Sequence, residues 1–399
     1  TGITNVTEAL QGMLPGVISM NTNSMPGNED VEIMIRGKGS WQSSTPLVLV
    51  DGVERDMNNV SVSEIDKITV LKDASATAVY GVKGANGVIL IDTKRGHSMA
   101  TRIDAQAFAS YTMQPRLPQM MNANQYRTYA NELLNGSNAN VSKLPFLSDD
   151  KGKYYYNTYH NETDWSDYVY QNAWAQNYRV NVQGGDDAAM NNFSLGFADG
   201  ESTIKSNDFN RLNIRFNTDV NLAKILDTRF DISYSRVVRD LRDDGIRQDL
   251  TAGPIVSPGF LALIKSPFLS PYNYNNSGEL TGAFSSADTF AQVYNSNDSY
   301  ANPLTIFKFG DGNNKNNHEY TVFNVTVAPE LKLGKDWTIS TLFNYTLHRT
   351  SEKYFRPMTG TPSFYISGLG VSKNEVRSFF SKEEEIYSDT RVTWNKKYG

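Results

Sequence analysis

Three glycines in GVKGANGV, Gly81, Gly84 and Gly87, suggest a loop that cradles a phosphate. Such a loop follows a strand and opens a helix, so that free N–H groups and the helix dipole meet the anion. Here the alanine-rich ASATAVYG precedes the loop and the strand-like VILIDT follows it, and GKGS at 37–40 lacks the upstream glycine of a P-loop. The three glycines read instead as points where the backbone needs positive φ. The four histidines, His97, His160, His318 and His348, stand in separate segments without paired ligand spacing, and cysteine is absent. No resident metal, thiol nucleophile or disulfide is therefore expected. RDDG at 242–245 and DGNNKNN at 311–317 leave room for a calcium ion in a loop, although they lack the register and closing glutamate of a dedicated calcium loop. No Ser, His and acid set carries a nucleophile motif, so no catalytic residue is assigned and enzyme activity is not expected. A net charge of −5 with scattered Lys and Arg argues against a nucleic-acid partner.

Aromatic and amide side chains are the remaining candidates for recognition. Tyr272, Tyr274, Asn275, Asn276 and Tyr294 lie in one polar stretch and have the stacking and hydrogen-bonding chemistry of a binding surface. Trp337, Tyr345, Tyr234 and Trp394 sit near the expected ends of strands, where a membrane interface collects aromatic rings.

Two kinds of element must position these residues. Over 1–98 short helical and extended patterns alternate. Val6, Leu10 and Met13 share a helical face in NVTEALQGMLPGV, capped by Asn5 or Thr7 and stopped by Gly12 and Pro15. VEIMIRG, PLVLVDGV and VILIDTKRG read as strands, the second ending in the turn pair Asp51-Gly52. A small α+β domain results. From 99 onward the period becomes two: in NRLNIRFNTDVNL, Leu212, Ile214, Phe216, Val220 and Leu222 alternate with Arg211, Asn213, Arg215, Asn217, Asp219 and Asn221. About eight such strands of 9 to 13 residues can be marked, joined by connections that alternate long and short, the longest being 112–177, 240–318 and 350–383. A transmembrane antiparallel β-barrel has this rhythm because its inner turns are tight while its outer loops are free to grow; a soluble sandwich has no reason for it. No apolar run is long enough for a membrane-spanning helix. The chain opens at Thr1 without a signal pattern, so any export signal is taken to be removed or not included.

The first hundred residues resemble the plug of the SusC/RagA family of TonB-dependent outer-membrane transporters. The resemblance lies in NVTEALQGMLPGV at 5–17, IRGKGS at 35–40, PLVLVDGV at 46–53 and EIDKITVLKDASATAVYGVKGANGVILIDTKRG at 64–96. It implies a bacterial outer-membrane protein that imports an oligosaccharide or peptide through a plugged barrel of about 22 strands, with TonB, the lipid bilayer and a SusD-like surface lipoprotein as partners, and a dimer of transporter–lipoprotein pairs as one assembly. Eight strands close too narrow a barrel to hold a plug, so a longer protein is expected. A siderophore or vitamin receptor, and a soluble secreted glycan-binding β protein, are the rival readings. By the same resemblance Trp41, with Gln42 and Arg36, belongs to a loop for which two readings stand: it faces the lumen above the plug, where the ring stacks on a sugar or peptide, or the ring tucks against the barrel wall. Plug charges Arg36, Asp51, Lys72, Asp73 and Arg95 are then expected to pair with the lumen residues Arg211, Arg215 and Asp219, through polar contacts weak enough to rearrange as the gate opens.

Overall fold

Val6 and Leu10, one helical turn apart, are the first residues to go inside, from the short helix α1 (Val6–Ala9) and the turn that ends it. Met13, expected on the same face, is 73% exposed, because the chain takes a positive φ at Gly12 and leaves the helix before a second turn is complete. The structure, a computed structural model, describes the chain except for residues 1–5, 11, 15, 22–30, 36, 38–43, 98, 137–143, 242–256, 287–299, 309–315, 357–358, 362–363, 367–369, 373–374 and 397–399.

α1 packs beside a two-stranded sheet of β1 (Val17–Asn21) and β2 (Val31–Ile35). A second sheet holds β3 (Leu47–Val50), β4 (Val53–Glu54), β5 (Ile65–Leu71) and β6 (Val88–Thr93) in the order β4-β3-β6-β5. β3 and β6 run parallel, and the chain between them includes β5, the helix α2 (Ala74–Thr77) and a 3-10 segment, Ala78–Gly84. Because β3 and β6 are central, their apolar runs are continuous rather than alternating. Val50, Ile89 and Ile91 are at most 1% exposed and form one core with Val6, Leu10, Ile33, Ile35, Met57 and Val60. Of the glycines in GVKGANGV, Gly81 and Gly87 do take positive φ, whereas Gly84 does not: a Cβ there would meet the Thr77 carbonyl oxygen at 2.9 Å, so close packing is its reason.

The alternating segments form a single antiparallel sheet, here called the wall. Its strands begin with β7 (Met99–Thr112), β8 (Ala173–Gly185), β9 (Ala189–Glu201), β10 (Asp208–Ala223) and β11 (Leu226–Leu241). After the small hairpin β12 (Tyr272–Tyr274) and β13 (Leu280–Phe284) come β14 (Asn316–Leu333) and β15 (Trp337–Arg356). A second small hairpin, β16 (Phe364–Ile366) and β17 (Gly370–Ser372), precedes β18 (Glu375–Trp394). The eight wall strands lie in the order β18-β15-β14-β11-β10-β9-β8-β7, the arrangement of an incomplete barrel. The tight turns 186–188, 224–225 and 334–336 share one end, and the connections 113–172, 202–207, 242–315 and 357–374 share the other. Strand lengths depart from the expected 9 to 13 residues: β14, β15 and β18 reach 18, 20 and 20. A tilted strand needs only about 9 to 11 residues to cross a bilayer, so the upper halves stand clear of it.

Two of the long connections, read from sequence as loops, contain helices: α3 (Ala123–Gly136), α4 (Trp165–Val169), α5 (Pro258–Ile264) and α6 (Pro303–Lys308). They fold against one another, with Trp165, Tyr159, Phe146, Phe268 and Leu269 buried in a shared cluster. The Trp165 Nε1–H donates to the Ser266 carbonyl at 3.0 Å, and the Thr163 N–H to the Pro267 carbonyl at 2.8 Å, so the two connections make one outer module.

Candidate functional site

On β10 and β11 the residues facing the plug are charged or polar, as the two-residue period requires: Arg211, Asn213, Arg215 and Asn217 on one strand, Asp231 and Ser235 on the next, all buried. The opposite face carries Phe216 and Ile232, 38% and 44% exposed. Polar groups inside and apolar groups outside invert the arrangement of a soluble sheet.

From the plug side, the β3–β4 hairpin and the end of β6 reach this wall. Asp51 and Gly52 adopt φ of 50° and 89°, both left-handed, as a two-residue hairpin turn needs. The turn aims the Asp51 carboxylate at Arg215, whose Nη2 lies 2.5 Å from Oδ2. The same carboxylate accepts from the Thr93 N–H at 3.0 Å and the Thr93 hydroxyl at 2.8 Å. Arg215 also donates to Asp231 at 3.0 Å, and Asp231 in turn pairs with Arg95 at 2.6 Å. Arg95 extends its other nitrogen to Asp219 at 2.6 Å. The result is an alternating chain of charges, Asp51, Arg215, Asp231, Arg95, Asp219, that crosses between plug and wall three times. Amides add to it: Asn192 and Asn217 both donate to the Lys94 carbonyl, at 3.2 and 2.9 Å. Gly96 lets the backbone leave the plug flush with β9, since a Cβ there would lie 2.5 Å from the Asn191 nitrogen.

Burial alone would raise the pKa of Asp51, but the Arg215 guanidinium and the two Thr93 hydrogen bonds outweigh it and hold the carboxyl below its ordinary value. For Glu64, also buried, desolvation wins and the pKa is raised despite opposition from Arg215 and the Ser61 N–H. Arg55 is pulled down to about 10 by burial and by the like charge of Arg215; it stays charged and donates to the Thr326 hydroxyl at 2.9 Å.

The sequence-predicted residues divide. Asp51, Arg95, Arg215 and Asp219 come together in this network. Arg211 is buried on the same face but lies away from it, beside a small cavity shared with Ser61 and Arg179. Lys72 lies beside Gly16, where a Cβ would stand 2.9 Å from its Nζ, and Asp73 stands exposed at the start of α2, so neither is one of the five residues of this chain of charges. Arg36, Trp41 and Gln42 lie outside the described residues, as do 242–245 and 311–315 of the calcium-type turns. Tyr274 donates its hydroxyl to Asn161 at 2.7 Å and Tyr272 stacks on Phe284, so both serve the outer module's own architecture. Tyr234 and Tyr345 are mid-strand rather than near strand ends, because the strands run on beyond them. Sequence reasoning missed Asp231, Arg55 and Glu64. The charged alternation Asp227, Arg229, Asp231 was a usable signal for the first; nothing local marks the other two.

Residues 1–88 match the family model of the TonB-dependent receptor plug domain. The chain is 32% identical over 243 residues to TonB-dependent receptor P26 of Formosa agariphila, covering 59% of this chain and 23% of that protein. It is also 32% identical over 232 residues to TonB-dependent receptor SusC of Bacteroides thetaiotaomicron, covering 55% and 21% respectively. Its fold is similar to that of the RagAB peptide importer in the closed-closed state, with a TM-score of 0.76 at 20% identity, over 100% of this chain and 44% of that one. The matched stretches cover about a quarter or less of these two relatives, and the chain spans well under half the length of the curated relatives it matches. Residues 1–88 thus form a plug domain of the TonB-dependent receptor type, and the chain is similar in sequence to a SusC receptor over a little more than half its length and in fold to a plugged, incomplete antiparallel barrel.

Proposed function

We propose that the whole protein imports an oligosaccharide or peptide across the bacterial outer membrane, performs no covalent chemistry, and works with TonB and a SusD-like surface lipoprotein that closes over the outer loops, in pairs that can associate as dimers. The observation that carries this reading is the kind of contact between plug and wall. Around Arg95 and Arg215 the two are joined by ion pairs and hydrogen bonds rather than interdigitated apolar side chains. Polar contacts exchange with water as they break, so a plug held this way can be displaced without exposing a dry core. The outward-facing apolar residues support a lipid-embedded barrel over a soluble glycan-binding protein. A siderophore or vitamin receptor would share the plug and wall, and is separated from this reading by its cargo.

The test begins with the full-length protein purified in mild detergent, where a stoichiometric lipoprotein and bound oligosaccharide or peptide are expected. Uptake of that cargo is then measured with Arg95→Cys and Asp219→Cys joined by a reducible bis-maleimide. Uptake should stop on crosslinking and return on reduction; unimpaired uptake by the crosslinked protein would sink the gating role.

A further inference from the structure

Two cavities of similar size flank the ion-pair network. One, of about 980 Å³, opens at the tight-turn end between plug and wall, with Asp66, Asp92 and His97 on the plug side and Arg229, Ser340 and Asp389 on the wall side. The other, of about 970 Å³, lies toward the long connections, with Met57 and Asn58 on the plug side and Ser233, Asn324, Asn344 and Thr346 on the wall side. On the wall the two linings are successive positions of the same strands, parted by a single layer. Arg229 lines the inner cavity and Ser233 the outer, with Asp231 between them; Ala328 and Asn324 are likewise parted by Thr326; Leu342 and Asn344 meet without an intervening lumen residue.

One plug element meets all of that layer. In the β3–β4 hairpin, Asp51 bonds to Arg215, which bonds to Asp231. A Cβ on Gly52 would stand 3.5 Å from Leu342 Cδ1. Arg55, just past β4, donates to Thr326, which also accepts from Asn344 at 2.9 Å. β4 is the edge of its sheet and pairs with β3 through two residues, continued by the Arg55 N–H to the Val48 carbonyl at 3.2 Å; the turn before it is tied to β6 through the Asp51 N–H and the two Thr93 bonds, and the exposed ion pair Lys83–Glu54 lies at 2.6 Å. As an edge strand with few ladder bonds it is the part of this sheet that moves most readily, once the Asp51 contacts to Thr93 and Arg215 and the Arg55 contact to Thr326 are released.

We propose that the two cavities are the outer and inner halves of one substrate passage along β11, β14 and β15, and that the β3–β4 hairpin is the partition between them. This rests on the import reading and adds where the cargo runs. The outer half presents the hydroxyls and amides of Ser233, Asn324, Asn344 and Thr346, which can hydrogen-bond sugar hydroxyls or peptide amides, beside the charges of Arg215 and Glu385 on the wall and Glu54 and Lys83 on the plug.

The test uses the full-length transporter, freed of any cysteine outside this chain, in liposomes with the long connections facing out and TonB absent. Single cysteines are placed at Ser233→Cys in the outer cavity and Ser340→Cys in the inner, and a charged, membrane-impermeant maleimide is added outside. In the parent, the outer position should label and the inner should not. With Asp51→Ala and Arg55→Ala added, the inner position should label at the rate of the outer one. Equal labelling of both positions in the parent would overturn the partition. So would an inner cysteine that stays silent in the double variant while the outer one still labels, which also shows that the variant is folded. If, in that case, the Arg95–Asp219 crosslink still blocks uptake, import stands and the passage lies along another sector of the wall.

Discussion

At the scale of single residues, the plug–wall network sets apart charges of equal formal value. Asp231 is 5% exposed at its side chain and is shared by two guanidinium groups, one of them, on Arg215, 2% exposed. Asp219 is 24% exposed and, among the described residues, pairs with Arg95. Removing the partner of a buried charge leaves that charge desolvated, so Asp231→Ala should destabilise the protein by about 3–5 kcal/mol. Asp219→Ala, at a wetter site, should cost at most about 1 kcal/mol. Thermal unfolding of the purified full-length variants in detergent checks the order; equal losses would mean that water reaches Asp231 as freely as Asp219. Four of the five acids and arginines in this chain of charges are legible in the sequence as polar positions on a lumen face or as plug charges. Their pairing is not, because it depends on how far β6 and the Asp51-Gly52 turn reach into the lumen, and that is set by packing of the plug as a whole. Lys72 and Asp73 show the same limit: their charge is visible, but their place beside Gly16 and at the start of α2 is not.

At the scale of elements, alternation was the dependable signal and length was not. A two-residue period fixes which face of a strand is polar, and all eight wall strands follow from it; nothing in the period says where a strand must stop once it leaves the bilayer, which is why β15 and β18 run to 20 residues. The helices of the outer module escaped for the opposite reason. α4 and α5 are five and seven residues long, too short to be stable alone, and exist because each buries its apolar side against the other connection. Trp165 is central to that contact: it is 2% exposed, donates to the Ser266 carbonyl, and has the Lys265 ammonium 5.1 Å from its ring centre. That ammonium is buried enough for its pKa to fall to about 7, so the ring and the Ala301 carbonyl are its remaining support. Trp165→Ala should therefore cost the module about 3–5 kcal/mol and leave the wall assembled. Limited proteolysis of intact cells reads this directly: cleavage within 113–172 and 242–315 should accelerate while the folded barrel persists on a heat-modifiability gel. Unchanged protection would mean that the two connections are held by something other than their shared cluster.

At the scale of the whole molecule, the outer surface of the wall marks its own membrane boundaries. Trp337 and Trp394 face each other across β15 and β18 at the tight-turn end, with ring centres 6.0 Å apart, and both are about half exposed. Tyr345 lies eight residues further along β15, and Tyr234 eight residues beyond the start of β11. Between these levels the outer face carries Ile232 and Phe343; beyond them it carries the Arg236–Glu319 ion pair and Arg349. Two aromatic levels parted by eight residues of strand, tilted as in a membrane barrel, stand about 20 Å apart along the barrel axis and so fall within its roughly 25 Å apolar band and flanking girdles, and the ion pair just above Tyr234 has no place in hydrocarbon. A spin label on Phe343→Cys in the reconstituted full-length protein should collide more with dissolved oxygen than with a water-soluble nickel chelate, and one on Arg349→Cys should show the reverse. If both labels preferred the nickel chelate, the apolar band would be facing water or another protein, and the lumen-facing charges of β10 and β11 would need a different explanation from a wet interior shared with the plug.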